Sequence, residues 1–160
     1  MKQNVAYFGV FVALAMIFSY LERLIPLHVG IPGAKLGLAN LVVVIALYKR
    51  NFKEALMISV VRVVLVGLTF GNAFSIVYGL AGGILSLCVM ALLKRQDRFS
   101  IVGVSAVGGV CHNLGQVMIA MVIVETFHLI FYFPVLMIVG VLTGLLIGIM
   151  SERIVKRLRI

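Results

Sequence analysis

Negative charge is scarce in this sequence. Asp and Glu together number 5 of 160 residues, and the only aspartate is Asp97, in a basic stretch. Chemistry on diphosphates held through magnesium needs paired carboxylates, so a DDxxD-type catalytic site is excluded. No GxxxxGK[ST] loop is present, so the chain cannot hydrolyse ATP alone. No Ser/His/Asp order and no His/Cys metal spacing occurs either, so neither an enzyme activity, a metal nor a cofactor is expected. The two cysteines, Cys88 and Cys111, lie inside apolar runs and read as small buried hydrophobes, implying no disulfide. The first apolar run is too long, and lacks a suitably placed A-x-A signal, to be a removed signal peptide. The internal repeat usual in secondary transporters is also missing: the Pro/Gly-interrupted start of the second helix has no counterpart in the second half.

Apolar surface is abundant. The chain is 63% hydrophobic, with mean hydropathy +1.21. No soluble domain of this size needs so much, so a polytopic membrane protein is expected, as one all-α domain over residues 1–160. Net charge is +9, yet ten of the 14 Lys and Arg residues fall into three groups. These are Lys49, Arg50, Lys53; Lys94, Arg95, Arg98; and Arg153, Lys156, Arg157, Arg159. Each flanks an apolar run, which is the positive-inside pattern, not a nucleic-acid footprint.

Six spanning helices are expected, near Asn4–Leu21, Lys35–Tyr48, Glu54–Phe70, Ala73–Leu93, Ile101–Val124 and Pro134–Met150. Leu24–Lys35 holds Pro26, Gly30, Pro32 and Gly33, which forbid a regular helix and suggest a loop packed over something. Gly71-Asn72 reads as a tight turn, and Thr126–Phe133 as an aromatic interface segment. The basic groups follow helices two, four and six, which puts them and both termini in the cytoplasm of a bacterial inner membrane.

Against that frame, a few polar residues stand out. Glu22, Lys35, Asn40, Asn72 and Glu125 fall at the outer edge. Arg62, His112, Asn113 and Gln116 fall deeper, inside apolar runs. His112 and Gln116 share a helix face, being four apart. A central arginine costs about 2.5–3.5 kcal/mol on insertion scales. It therefore needs Glu22, Glu125, backbone carbonyls or a ligand as partner. The His112-Asn113-Gln116 group is either an interhelical hydrogen-bonded clamp or a binding site, and Lys35 either snorkels to the interface or meets an anion. Together the polar residues outline a pocket open to the outside only, which suits a solute receptor; a channel needs polar residues through its whole thickness. Small residues mark close helix approach: Gly9 with Ala13, and Gly140, Gly144, Gly148 as GxxxGxxxG, serving intramolecular packing or a docked partner.

The strings Tyr20-Leu21-Glu22-Arg23-Leu24-Ile25-Pro26, Ile31-Pro32-Gly33-Ala34-Lys35-Leu36-Gly37-Leu38-Ala39-Asn40, Arg62 and His112-Asn113-Leu114-Gly115-Gln116 resemble the Gx transporter family, also labelled heptaprenyl diphosphate synthase component I. That family looks like the S components of energy-coupling factor (ECF) transporters. The resemblance implies a six-helix subunit that captures a vitamin-like, flavin-like or quinone/isoprenoid-related micronutrient from outside. It also implies docking on a T component with two ATPases, with the Gly9/Ala13 face resembling the small-residue docking patch. The synthase label leaves open a non-catalytic membrane subunit of a polyprenyl diphosphate synthase or redox enzyme. A self-sufficient transporter or channel is a third reading.

Overall fold

The structure is a computed structural model and describes residues 2–24 and 36–158. Among them are six α-helices, one 3₁₀ helix and no strand: α1 Lys2–Leu24, α2 Leu38–Lys49, α3 Phe52–Phe70, α4 Ala73–Arg95, α5 Ile101–Ile123, the 3₁₀ helix Phe127–Tyr132, and α6 Phe133–Arg157. The expected loop Leu24–Lys35 lies outside the described residues from position 25 on, as does Lys35.

Local chemistry sets the boundaries. Asn51 caps α3, its side chain accepting from the Glu54 N–H at 2.8 Å, and Ser100 caps α5 by accepting from the Gly103 N–H. Pro134 stands in the first turn of α6, where its missing N–H has no partner to lose. Asp97 and Glu125 have φ of 50° and 53°. They stop α4 and α5 in the left-handed conformation that ends many helices. Glu125 is exposed, and it terminates a helix; it does not partner Arg62.

Neighbour relations close a ring, α2–α3–α4–α5–α6 and back to α2, with α1 laid against α2 and α3. By length and composition, α1, α4, α5 and α6 can each cross a membrane. The other two of the six expected spans fall outside that set, the second being short already in its sequence run. The 12 residues of α2 reach only about 18 Å, short of a bilayer core. The 19 residues of α3 include Lys53, Glu54 and Arg62. Yet α2 is the most enclosed helix: Leu41 through Leu47 are all buried. A helix apolar on every side is one that neighbours cover on every side.

The three basic groups gather at one end of the bundle. Lys49 Nζ donates to Leu158 O at the end of α6. Lys94 Nζ donates to Leu47 O at the end of α2, 2.6 Å away, and lies 5.0 Å from the Tyr48 ring centroid. Both lysines thus serve the carbonyl-rich ends of helices, where a cation is favoured. The apolar core sits toward this same end, built from Phe11, Val12, Ala15, Leu41–Leu47, Ala55, Ile58, Leu87, Met90, Val104 and Ile147.

The seam between α5 and α6 is made of glycine. A Cβ on Gly144 would stand 2.6 Å from Ser105 O, and one on Gly140 2.9 Å from Gly109 O. One on Gly148 would stand 2.7 Å from Val102 Cα. The stripe Gly140, Gly144, Gly148 is therefore buried against the α5 backbone. Of the two uses expected of the stripe, packing within the bundle or docking a partner, it serves the first, since α5 occupies the face. Gly9 and Ala13 are exposed, and a Cβ on Gly9 would meet nothing within 4 Å.

Candidate functional site

Away from the basic end the ring does not fill, and a cavity of about 520 Å³ remains. Its walls come from the end of α1, the start of α2, the second half of α3, α4 as far as Met90, the centre of α5, the 3₁₀ helix and α6. Six of the residues singled out in the sequence line it together: Glu22, Asn40, Arg62, His112, Asn113 and Gln116. Arg62 and His112 therefore face one chamber.

Arg62 is positioned by α2. Its Nη2 donates to Asn40 Oδ1 at 3.2 Å, and its Nε is buried without a hydrogen-bond partner among the described residues. No carboxylate of the described residues lies within ion-pair distance of it. Glu22 acts on Arg62 through its charge and not through an ion-pair contact; its Oε1 accepts from the Gly37 N–H at 2.6 Å. That bond ties the end of α1 to the entry of α2. Gly37 can make the turn because its φ is 74°, which suits glycine.

On α5, the three polar residues divide. Asn113 is a clamp: its Nδ2 donates to Leu136 O on α6 at 2.7 Å, in a buried position. His112 and Gln116 lie along the α4 seam, where Gly82 has no side chain to displace them; a Cβ there would meet His112 Cε1 and Gln116 Cγ at 3.1 Å. Gly115 completes the approach, facing Ala81 O and Gly82 Cα. Deeper in the chamber the hydroxyls are satisfied by backbone. Ser86 Oγ donates to Gly108 O at 2.8 Å, and Thr143 Oγ1 donates to Val139 O at 2.9 Å. Val44, Met90 and Ile147 make the rest of that depth apolar. The chamber is thus polar toward its mouth and greasy toward its floor.

Asn72 does not line the chamber. It caps α4 through a reciprocal box, Oδ1 accepting from the Ser75 N–H at 2.8 Å and its own N–H donating to Ser75 Oγ at 3.0 Å. The expectation that Asn72 binds a ligand is corrected on that ground. Among the aromatic side chains near this end, Tyr78 lines the chamber. Phe70 instead packs on Tyr20, with ring centroids 5.4 Å apart, and Phe74 is exposed. Sequence reasoning missed Arg23, Ser75 and Tyr132 as lining residues. Arg23 was legible as the neighbour of Glu22; Tyr132 lies in a segment whose aromatic character spoke for the membrane interface. Phe127 and Phe131 fit that reading, being 85% and 80% exposed.

No curated protein and no solved structure matches the chain. Residues 11–154 match the profile of the family described as heptaprenyl diphosphate synthase component I.

Proposed function

The chain belongs to the heptaprenyl diphosphate synthase component I family, the Gx transporter family, and from that premise we propose that it is the solute-capturing membrane subunit of an ECF-type importer. It crosses the bacterial cytoplasmic membrane as a six-helix bundle with both termini inside. It takes its ligand from the outer side and relies on a T component and partner ATPases for transport. One observation carries this reading: a guanidinium faces a chamber of about 520 Å³ with an amide as its one hydrogen-bond partner and no carboxylate at ion-pair distance among the described residues. A charged group at bilayer depth needs a counter-charge or acceptor, and a ligand supplies one.

The ligand that fits is amphipathic. Its anionic or carbonyl-bearing end meets Arg62, with His112 and Gln116 fixing orientation by hydrogen bonds, and its apolar body lies toward Met90 and Ile147. Asn113 holds α5 to α6 behind the site. The exposed Gly9/Ala13 face of α1 receives the T component. The protein performs no chemistry on what it binds.

The test is native mass spectrometry of the purified chain for a co-purified small molecule, followed by binding to Arg62→Ala and His112→Ala. Both variants should bind it at least tenfold more weakly. Unchanged affinity in both places the site elsewhere. The family description favours a second reading, a non-catalytic membrane subunit of a polyprenyl diphosphate synthase. Co-purification of a prenyl synthase, without ATPase subunits and without bound solute, selects that reading.

A further inference from the structure

The basic end of the bundle carries a second concavity, independent of the central chamber. A groove of about 720 Å³ is lined by Leu47, Arg50, Asn51, Phe52, Lys53, Glu54, Ala91, Lys94 and Arg95. It lies where the α2–α3 turn meets the end of α4. Four cations and one carboxylate border it. The carboxylate is spoken for: Glu54 accepts from Arg50 Nε at 2.8 Å and from Asn51 Nδ2 at 2.9 Å. Lys94 is fixed in place by Leu47 O. Lys53 and Arg95 are exposed at the groove's border, and no described carboxylate is at ion-pair distance from either.

The wall chemistry is mixed. Leu47, Phe52 and Ala91 give the groove an apolar side, and Leu92, next to Ala91 in the chain, is exposed on α4. A small inorganic anion has no use for that side. A molecule with a phosphate at one end and a hydrocarbon chain at the other uses both. Anionic lipids are such molecules, and basic pockets between membrane helices are suited to their headgroups.

We infer that this groove is a binding site for the phosphate headgroup of an anionic phospholipid, with Lys53, Arg95 and Lys94 around the phosphate and the first acyl carbons against Phe52 and Ala91. The site holds the α2–α3 turn against the end of α4. Arg50 is occupied with Glu54 and contributes field, not a direct contact.

The experiment uses the full chain, purified in detergent and titrated with phosphatidylglycerol, with phosphatidylcholine, or with inorganic phosphate. Bound lipid is counted by native mass spectrometry. Lys53→Gln/Arg95→Gln removes two exposed groups that make no contact the fold depends on; Arg153→Gln/Arg157→Gln removes the same charge from the same end outside the groove. Phosphatidylglycerol should bind the wild type at least tenfold more tightly than phosphatidylcholine. The groove variant should lose about tenfold or more of that affinity, and the control less than threefold. Equal loss in both variants reduces the effect to diffuse surface charge and overturns the site. Equal retention of phosphatidylcholine means an apolar crevice without headgroup recognition, and overturns it too. Displacement of the lipid by millimolar inorganic phosphate assigns the groove to a soluble anion and overturns the lipid assignment.

Discussion

Replacing Arg62 with methionine should leave the empty protein as stable as before, or make it more so. Two terms dominate the outcome, with a smaller loss of attraction to the Glu22 charge. Removing the guanidinium relieves a burial cost of about 2.5–3.5 kcal/mol, and forfeits one charge-assisted hydrogen bond, to Asn40, worth about 1.5–3 kcal/mol. The balance lies between about 0.5 kcal/mol of loss and about 2 kcal/mol of gain. Breaking a buried ion pair gives the opposite sign, a loss of about 3–5 kcal/mol, but no such pair is present at Arg62 among the described residues. The assay is thermal unfolding in detergent micelles followed by far-UV circular dichroism. Asn40→Leu is the companion: it strands Arg62 and should lower the midpoint, while the double variant Arg62→Met/Asn40→Leu should recover it. A midpoint for Arg62→Met lower than that of Asn40→Leu refutes the reasoning, because Arg62 would then hold the bundle together and would not be reserved for a ligand.

Other outcomes follow from the same geometry. Gly144→Leu forces a side chain into the α5 backbone and should cost about 1–3 kcal/mol or more, visible as lost monodispersity in detergent; Gly9→Leu, facing open space, should behave as wild type. Asn113→Ala should lower the unfolding midpoint by the equivalent of about 0.5–1.5 kcal/mol, the net worth of its lost bond to the Leu136 carbonyl; Gln116→Ala should shift it by less than about 0.5 kcal/mol. With Cys88 and Cys111 replaced by serine, Asn72→Cys should react with a membrane-impermeant thiol reagent on intact cells, and Gln96→Cys only after permeabilisation; the reverse pattern inverts the proposed topology.

Helix boundaries were legible because local groups write them: Asn51, Ser100, Gly71-Asn72 and Pro134 each act within a turn of their own position. The gathering of the basic groups at one end was legible from their spacing along the chain. The roles of individual polar residues were not. An Asn-x-x-Ser sequence at a helix start and an Asn lining a pocket look alike until the helix axis is known, and so Asn72 was read as a binder when it is a cap. A GxxxGxxxG stripe states that a backbone comes close without saying whose; here it is that of α5. The choice of Asn40 as the partner of Arg62 joins positions 22 residues apart, set by how α2 lies on α3. The shortness of α2 was legible in the brief Lys35–Tyr48 run; its enclosure by protein was not, because apolar content measures burial, and burial by protein and by lipid leave the same mark in a sequence.

That last point has a consequence for how substitutions should be tolerated. Along α1 one side touches protein and the other is open, so a scan through every position should rise and fall with the turn of the helix. Between Leu41 and Leu47 there is no permissive side. A polar replacement at any of these seven consecutive sites should be rejected about equally, and the profile should be a plateau instead of a wave.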